Sequence, residues 1–192
     1  MEPEAVLNLP NIIIEPLDPG IHDRAAFSCG VGRLDNFLKR TARKQQAGDF
    51  TRIWVATESG QTAILGYYAL NAHFIEGDDL PDHLTKDAPR SGCIPAAYLS
   101  MIAVDHRYQG RKLGHILLAD ALSRAVGAAD SYLGLKAVVL DVIEDGGAES
   151  AEKRRAFYAS MGFHSFPSNR LRMFITIEAV RKAISCKRHP PN

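Results

Sequence analysis

The stretch from Ala97 to Leu118 constrains the fold of this chain more than any other part of the sequence. Its first part, residues 97–104, is almost entirely apolar, which is typical of a strand that is buried on both faces. A polar segment follows and ends at Gly110, a residue that marks turns. From Leu113 the apolar residues recur with helical spacing, and this pattern predicts a helix that ends near Ala129. The stretch therefore predicts a strand, a tight loop and a helix in direct succession.

The loop of this unit is predicted to bind a phosphate group. The first N–H groups of a helix lack intrahelical partners, and the helix dipole adds partial positive charge, so that anions bind there readily. Gly110 and Gly114 have no Cβ atom and let a ligand approach the backbone. The neighbouring side chains add positive charge: Arg107, Arg111 and Lys112. A pyrophosphate site is one interpretation, and an ordinary turn with solvated basic residues is the other.

A second motif runs from Arg155 to Phe163 and closes a predicted helix at Gly162. Phe157 and Met161 are one helical turn apart and can pack inward together. Tyr158 is rotated by about 100° from its neighbour, so it can face a cleft. Taken alone, the motif is explained as well by a tyrosine that only packs.

The two motifs together, in this order, resemble the GNAT superfamily of acyl-CoA N-acyltransferases. The family loop reads Arg/Gln-x-x-Gly-x-Gly/Ala; Arg107 and Gly110 match it, and Lys112 stands where Gly or Ala is usual. Phe-Tyr-x-x-x-Gly-Phe is the second family pattern. The resemblance implies an α/β (α+β) GNAT fold, in which helices flank a central mixed, mostly antiparallel sheet and split strands form the acetyl-CoA cleft.

The same resemblance implies acetyl-CoA as co-substrate and assigns roles to residues. Tyr158 is the implied catalytic acid; it would lie near the thioester sulfur, contact the cofactor and protonate the departing CoA thiolate. The pantetheine is expected to pair with the strand edge in the manner of an added strand, at Ile102, Ala103 and Val104. The pyrophosphate is expected on the backbone N–H groups that follow, from residues Gln109, Gly110, Arg111, Lys112, Leu113 and Gly114.

The N-terminal half is similar to the acetyltransferase toxins of type II toxin–antitoxin systems. The similarity rests on three runs: Phe27-x-Cys29-Gly30-x-x-x-Leu34-Asp35-x-Phe37-Leu38, Gly48-Asp49-Phe50-Thr51 and Leu65-Gly66-Tyr67-Tyr68-Ala69-Leu70. Ser100-Met101 departs from the Gly-Arg that such toxins often carry. The similarity implies a toxin that acetylates the amino group of aminoacyl-tRNA and blocks translation. Its implied partners are a ribbon-helix-helix antitoxin, operator DNA through that antitoxin only, and a second copy in a homodimer.

Such a substrate fits the chemistry of the reaction. Only a neutral amine attacks a thioester, and a free α-amino group titrates near 7.7–8.0, whereas a lysine side chain titrates near 10.4. The electron-withdrawing ester lowers the pKa of an aminoacyl amine further, so no strong base is needed. Glu76, Asp105 and His73 are candidate bases, but each is better explained as a surface or structural residue.

A predicted basic helix offers a surface for the tRNA backbone, because phosphate contacts by Lys and Arg dominate such binding. The residues predicted to bind nucleic acid are Arg33, Arg40, Arg43, Lys44 and Arg90. A solvated helix face is the equal alternative. Two other functions remain open: acetylation of a small amine or a protein amine, and a catalytically weak module that binds acetyl-CoA.

The remaining sequence predicts one domain. Predicted strands cover residues 11–17, 51–58, 63–74, 135–142 and 170–177, and predicted helices cover residues 34–47, 150–160 and 177–184. Residues 76–95 read as a loop with a short helix near 82–85. No repeat or linker is evident, which predicts one domain over residues 1–192 with its core at about 11–180 and flexible tails at both ends.

Composition excludes several classes of protein. The 192 residues carry a net charge of +1, so any nucleic-acid site has to be a local patch. The three cysteines are widely spaced and show no metal-ligand spacing, so neither a metal site nor a disulfide framework is expected. No apolar run of membrane length and no signal peptide is evident, which predicts a cytoplasmic protein without membrane contact.

Overall fold

A computed structural model describes residues 11–76, 79–86 and 88–188 of the chain. The strands are β1 (Ile12–Pro16), β2 (Arg52–Glu58), β3 (Ile64–Glu76), β4 (Cys93–Val104), β5 (Ala137–Asp141), β6 (His164–Ser165) and β7 (Arg172–Thr176). The helices are α1 (Gly32–Asn36), α2 (Ala42–Ala47), α3 (Asp82–Thr85), α4 (Leu113–Ser131), α5 (Gly147–Ser160) and α6 (Ile177–Arg188).

The strands form one sheet in the order β1-β2-β3-β4-β5-β7-β6. β1 pairs antiparallel with β2, and β7 pairs antiparallel with both β5 and β6. β4 pairs parallel with β5, where Ala96–Tyr98 face Ala137–Val139. The predicted fold class, a mixed and mostly antiparallel sheet with helices, is thereby confirmed.

The chain divides into two compact units, each described by itself below. The first contains Met1–Ala69 and Met101–Asp120, and the second contains Leu70–Ser100 and Ala121–Asn192. The expectation of a single domain over the whole chain stays a prediction.

In the first unit, the start of α4 packs closely on β3 at Gly66. A Cβ atom on this glycine would lie 2.8 Å from Cδ1 of Leu117 and 2.9 Å from the carbonyl oxygen of Ala103. These separations are shorter than real Cβ contacts allow, so only glycine fits without a shift. Leu113 and Leu117, on the inner face of α4, are almost completely buried. The absence of a side chain at position 66 therefore sets how near this helix lies to the sheet.

The predicted helix over residues 34–47 differs from the observed one. The observed helical segment begins at Gly32 and contains a π-helical turn at Phe37–Thr41 between α1 and α2. The Arg24 guanidinium donates to the carbonyl oxygens of Leu38 and Lys39, at 3.4 and 3.3 Å. A side chain that binds carbonyls inside a helix accompanies such irregular turns. Sequence periodicity missed this turn because Arg24 lies outside the helix.

The second unit has its own apolar cluster, in which Phe166 and Phe174 pack edge to face with centroids 4.9 Å apart. The other buried members are Ile75, Leu80, Ile94, Ala96, Ala137 and Val139. These side chains come from β3, β4, β5 and β7 and from the segments that follow β3 and β6, so one core joins strands that are distant in sequence.

Several predicted boundaries were wrong. The loop predicted over residues 76–95 is shorter, because β3 runs to Glu76 and β4 begins at Cys93. Pro95 disguised the start of β4, since proline is rare inside strands; its carbonyl oxygen accepts the N–H of Lys136 at 2.8 Å. The helix α5 begins earlier than predicted, at Gly147, and α6 ends later, at Arg188.

The short strand β6 and a 3₁₀ turn at His106–Tyr108 were not predicted. Neither is long enough to produce a periodic pattern. The predicted N-terminal tail, residues 1–10, lies outside the described residues. The C-terminal tail was predicted to follow a core that ends at about residue 180, but α6 continues to Arg188; residues 189–192 lie outside the described residues.

Candidate active site

The segment after β4 leads directly into α4, as the sequence predicted. The N–H groups of His115 and Ile116 make the first intrahelical bonds, to the carbonyl oxygen of Lys112 at 3.0 and 3.3 Å. The N–H groups of Leu113 and Gly114 precede these bonds and stand at the positive end of the helix dipole. This is the local geometry in which helices bind anions.

A cavity of about 280 Å³ opens at this helix end, within the first unit. Six of the predicted cofactor residues line it: Val104, Gln109, Gly110, Lys112, Leu113 and Gly114. Arg111 is exposed, and its guanidinium lies 5.5 Å from the centre of the Tyr108 ring. Tyr108 and His115 also line the cavity, although no sequence motif pointed to them. Tyr108 lies at the end of the 3₁₀ turn, which leaves no periodic signal, and His115 lies in the first turn of α4.

Two residues of this loop adopt left-handed backbone conformations. Gly110 has a φ of 76° and Lys112 a φ of 60°. Glycine adopts this region freely, whereas a residue with a Cβ atom is disfavoured there. The exposed lysine at position 112 therefore occupies a backbone conformation that glycine would adopt without strain.

Asp105, a candidate base, is a structural residue of the loop. Its side chain is fully buried, at 0% exposure. The carboxylate accepts the N–H of Arg107 at 3.0 Å, its Nε at 2.8 Å, and the N–H of Ser28 at 3.1 Å. Burial opposes ionisation, but the hydrogen bonds from Arg107 and Ser28 outweigh it and hold the pKa of Asp105 below its usual value. The carboxylate is therefore charged at neutral pH, and its oxygens already accept hydrogen bonds from Arg107 and Ser28.

Gln109 was predicted to bind the cofactor through its backbone, and the structure shows what its side chain does. Its Nε2 atom donates to the carbonyl oxygen of Cys29 and to that of Val104, both at 3.0 Å. Both hydrogens of the amide are thus used within the protein. Because Cys29 is distant from the loop in sequence, no local pattern could have revealed this contact.

The residues predicted to pair with pantetheine lie at the end of β4. Ala103 is buried, and Ile102 and Val104 are half-buried. The next N–H, that of Asp105, donates to the carbonyl oxygen of Leu65 at 2.9 Å. The pairing with pantetheine stays a prediction.

Tyr158 lies near the end of α5, in the second unit, and is half-buried. Its ring packs edge to face with Phe157 and Phe163, at centroid distances of 5.2 and 6.0 Å. The helix ends as predicted, with Gly162 at a φ of 92°. Burial raises the pKa of Tyr158 to about 12, although the charge of Arg154 partly opposes the shift. The hydroxyl therefore keeps its proton at physiological pH and is available as a hydrogen-bond or proton donor.

The two other candidate bases are in the second unit. His73 stacks on Tyr98, with ring centroids 5.2 Å apart, and its Nε2 lies 2.5 Å from a guanidinium nitrogen of Arg172. Burial and the charge of Arg172 lower the pKa of His73, so that the imidazole is neutral at pH 7. Its Nε2 lone pair faces a donor and is not available to an amine. Glu76 is exposed at the end of β3.

Four of the five residues predicted to bind nucleic acid share the helical segment from α1 to α2. Arg33, Arg40, Arg43 and Lys44 are all exposed there. Arg90 is exposed as well, but it lies in the second unit, in the turn before β4. The helix keeps its cations in solvent because its apolar side chains, such as Leu34 and Leu38, are buried on the other face.

Among the described residues, no three His, Cys, Asp or Glu side chains lie together as metal ligands would. In that same part of the chain, no helix has the length and apolar character needed to cross a bilayer.

Comparison with known proteins places these features in a family. A family model described as an acetyltransferase (GNAT) domain matches residues 49–165. A probable toxin TacT of Sinorhizobium fredii is 47% identical over 169 residues, which cover 88% of this chain and 93% of that protein. A tRNA-acetylating toxin of Mycobacterium tuberculosis is 32% identical over 162 residues, covering 84% of this chain and 90% of that protein.

Solved structures show the same fold. A tyrosine-to-phenylalanine mutant of KacT superposes with a TM-score of 0.80 at 24% identity, covering 90% of this chain and 99% of that one. AtaT complexed with acetyl-methionyl-tRNAfMet superposes with a TM-score of 0.79, also at 24% identity and with the same coverage. At such identity the likeness concerns the fold alone.

Proposed function

Since this chain belongs to the GNAT family of acetyltransferases, we propose that it transfers the acetyl group of acetyl-CoA to the amino group of an aminoacyl-tRNA. In this proposal it is the toxin of a toxin–antitoxin pair and stops translation. The names of its two relatives, a probable toxin and a tRNA-acetylating toxin, support the substrate. The reaction would take place in the cytoplasm, where charged tRNA is found.

One observation carries the cofactor part of the proposal: the cavity at the start of α4 is lined by backbone that is shaped to receive an anion. Gly110, at positive φ, has no heavy atom within 4 Å of where its Cβ would be, so a ligand can approach its backbone. The N–H groups of Leu113 and Gly114 and the helix dipole would hold the pyrophosphate of acetyl-CoA. The exposed cations Arg111 and Lys112 add attraction at the entrance.

In the proposed reaction a neutral amine attacks the thioester carbon, the C–N bond forms and the C–S bond breaks. The nitrogen loses one proton to solvent, and the sulfur leaves as a thiolate that Tyr158 stabilises. The pKa of this phenol, about 12, lies above that of a thiol, near 8.5. We therefore expect Tyr158 to donate a hydrogen bond to the sulfur and not to transfer its proton completely.

The state of the candidate bases favours an aminoacyl ester as acceptor. The Asp105 carboxylate is occupied by its donors, and the Nε2 atom of His73 faces Arg172. A lysine acceptor needs help to lose a proton near pH 10.4, whereas an α-amino group does not. An acceptor amine that is already partly neutral at pH 7 suits a protein whose candidate bases Asp105 and His73 already bind donors.

The tRNA backbone would bind the exposed cations of the α1–α2 segment. Simultaneous charge reversal of Arg40, Arg43 and Lys44 to Glu should weaken tRNA binding and lower its dependence on salt, because fewer counterions are then released. Binding of tRNA measured between 50 and 200 mM salt should show a shallower slope, while acetyl-CoA affinity stays at the wild-type value. An unchanged slope would assign these cations to an ordinary solvated face.

The proposed partners follow from the same relatives. The TacT relative is named a probable toxin, and AtaT has been solved with the C-terminus of its antitoxin. We therefore expect this chain to bind an antitoxin. The family resemblance further implies that this antitoxin is a ribbon-helix-helix protein, that the chain reaches operator DNA only through it, and that the chain forms a homodimer.

Cell-free translation tests the proposal directly. Purified protein with acetyl-CoA should reduce protein synthesis, and mass spectrometry should find acetylated aminoacyl-tRNA; omission of acetyl-CoA is the control. Full translation together with acetyl transfer to a small amine or a protein would overturn the tRNA substrate. Acetyl-CoA binding without transfer to any amine would instead indicate a binding module.

A further inference from the structure

We infer that the side chain of Gln109 is a positioning group, which locks the cofactor loop onto the segment Ser28–Cys29 and so sets the affinity for acetyl-CoA without touching it. The inference rests on the proposed use of acetyl-CoA. In this role the side chain of Gln109 does not contact the cofactor. Asp35, which does not line the cavity, contributes to the same positioning.

The lock is made on the loop side by three residues. The Gln109 amide bridges the carbonyl oxygens of Cys29 and Val104, each at 3.0 Å. The N–H of His106 donates to the carbonyl oxygen of Ser28 at 2.8 Å. The Asp105 carboxylate accepts the N–H of Ser28 at 3.1 Å. Residues 28 and 29 thus bind the loop through one N–H and two carbonyls.

The same segment is held from its other side by helix α1. One carboxylate oxygen of Asp35 accepts the N–H of Cys29 at 2.8 Å, and the other accepts the hydroxyl of Ser28 at 3.1 Å. Asp35 is fixed in turn, because the preceding carbonyl, that of Leu34, accepts the buried hydroxyl of Tyr67 at 2.8 Å. The segment Ser28–Cys29 is therefore clamped between a helix and the cofactor loop.

The lock is needed to keep the loop in one conformation, because two of the loop residues have a left-handed backbone. With Gly110 and Lys112 at positive φ, other loop conformations are within reach once the flanking contacts are removed. An unlocked loop would present its N–H groups correctly for only a fraction of the time, and the apparent dissociation constant rises by the inverse of that fraction. Once acetyl-CoA is bound, the loop shape is restored, so turnover at saturation should not change.

Replacement of Gln109 by Met tests the inference, since methionine has nearly the same length but no donor. Acetyl-CoA affinity measured by calorimetry should fall about tenfold, a loss typical of two ordinary hydrogen bonds. The KM for acetyl-CoA should rise to match, with kcat unchanged. Hydrogen exchange at the loop amides should accelerate in the free protein, as expected for local opening. Gln61→Met, in an exposed turn of the same unit, is the matched control and should change none of these.

Asp35→Ala separates positioning from direct contact. Asp35 acts on the loop only through Ser28 and Cys29, so its loss should weaken acetyl-CoA binding by a similar factor. The double variant with Gln109→Met should then be little worse than either single variant, because residues that act through one contact are not additive. If Asp35→Ala does not fold, Asp35→Asn, which keeps an acceptor for the N–H of Cys29, should show a smaller effect in the same direction.

Two results would overturn the inference. Wild-type affinity in Gln109→Met would show that the lock is unimportant, and losses that multiply in the double variant would show that Gln109 contacts the cofactor by itself. Both are distinct from failure of the proposed use of acetyl-CoA, in which the wild-type protein would not bind acetyl-CoA at all, and from failure of the proposed tRNA substrate, in which the wild-type protein would bind acetyl-CoA but acetylate no aminoacyl-tRNA.

Discussion

The loop before α4 in the first unit and the end of helix α5 in the second unit have opposite roles in the proposed reaction. In the loop the groups proposed to bind the cofactor belong to the backbone, and the side chains of Asp105 and Gln109 hold that backbone by hydrogen bonds. At the end of α5 the backbone is ordinary helix, and the group proposed to act is the hydroxyl of one residue, Tyr158.

This difference predicts how each region responds to mutation. A backbone site should tolerate changes to exposed side chains and fail when the shape of the chain is altered. A side-chain site should fail on the loss of one oxygen while its shape and stability persist. The two regions can therefore be told apart by whether affinity, rate or stability changes.

The largest effect is expected from Gly110→Trp. The substitution puts a bulky side chain at a φ of 76° in the cavity wall, so acetyl-CoA binding measured by calorimetry should be abolished. Gly60→Trp is the matched control, since Gly60 has a φ of 77° in an open turn elsewhere and should bear the same strain without loss of binding. A folded Gly110→Trp protein with wild-type affinity would contradict the assignment of this loop.

The next effect concerns rate alone. Tyr158→Phe keeps the ring contacts with Phe157 and Phe163 but removes the donor. Acetyl transfer should slow by about 10²–10³-fold, the usual cost of one lost donor to developing charge. Affinity for acetyl-CoA and thermal stability should stay close to wild type. Tyr132→Phe, at an 85% exposed tyrosine, should be neutral, and wild-type transfer by Tyr158→Phe would leave this tyrosine a packing role only.

Asp105→Asn should act on stability first. A neutral amide at this buried position makes weaker hydrogen bonds with Arg107 and Ser28 than the carboxylate does. The free energy of unfolding at pH 7 should therefore fall by about 2–3 kcal/mol. Because the folded pKa of Asp105 is lowered, its contribution is present above the unfolded pKa, near 3.9, and is lost as the pH falls through the folded value. The difference between wild type and variant, followed by denaturant unfolding, should therefore shrink in acid.

The control for that experiment is Asp49→Asn. Asp49 pairs with Arg52 at 2.8 Å, but its side chain is 79% exposed, and exposed ion pairs contribute little. A loss of stability equal to that of Asp105→Asn would mean that burial does not distinguish the two carboxylates.

The smallest effect should come from Lys112. Lys112→Gly relieves a φ of 60° and should raise the free energy of unfolding by about 0.5–1 kcal/mol. Lys112→Ala removes the charge but keeps the strain, so comparison of the two variants separates the ammonium from the backbone. If the affinity for acetyl-CoA falls equally in both variants, the charge of the lysine contributes to cofactor binding. If the affinity is unchanged, position 112 contributes to cofactor binding only through its backbone.

Local pattern accounts for what the sequence predicted well. The apolar run before Asp105, the turn at Gly110 and the helix from Leu113 are contiguous, and their periods and glycines identify them. The positions that the sequence missed depend on residues far apart in the chain. Ser28 meets Asp105, and Arg24 meets the carbonyl of Leu38. Such contacts are decided by packing, which leaves no periodic mark.

The family resemblance predicted residue roles that local sequence patterns could not predict, but it did not predict the contacts of every side chain. It named Tyr158 and the loop, whereas the burial of Asp105 and the inward turn of Gln109 had to be seen in the structure. The resemblance indicates where chemistry is expected, and the contacts that hold those positions were found only in the structure of this chain.

The close approach of α4 to β3 at Gly66 has a genetic consequence. If expression of this protein arrests growth, cells that survive a random mutagenesis of its gene carry inactive copies. Most single-base changes of a glycine codon introduce a Cβ atom, and at Gly66 that atom would meet Leu117 and the carbonyl of Ala103. Survivors should therefore include substitutions at Gly66 as well as at Tyr158, although position 66 offers no atom for chemistry and lies beneath the helix whose first turn borders the cavity proposed for acetyl-CoA.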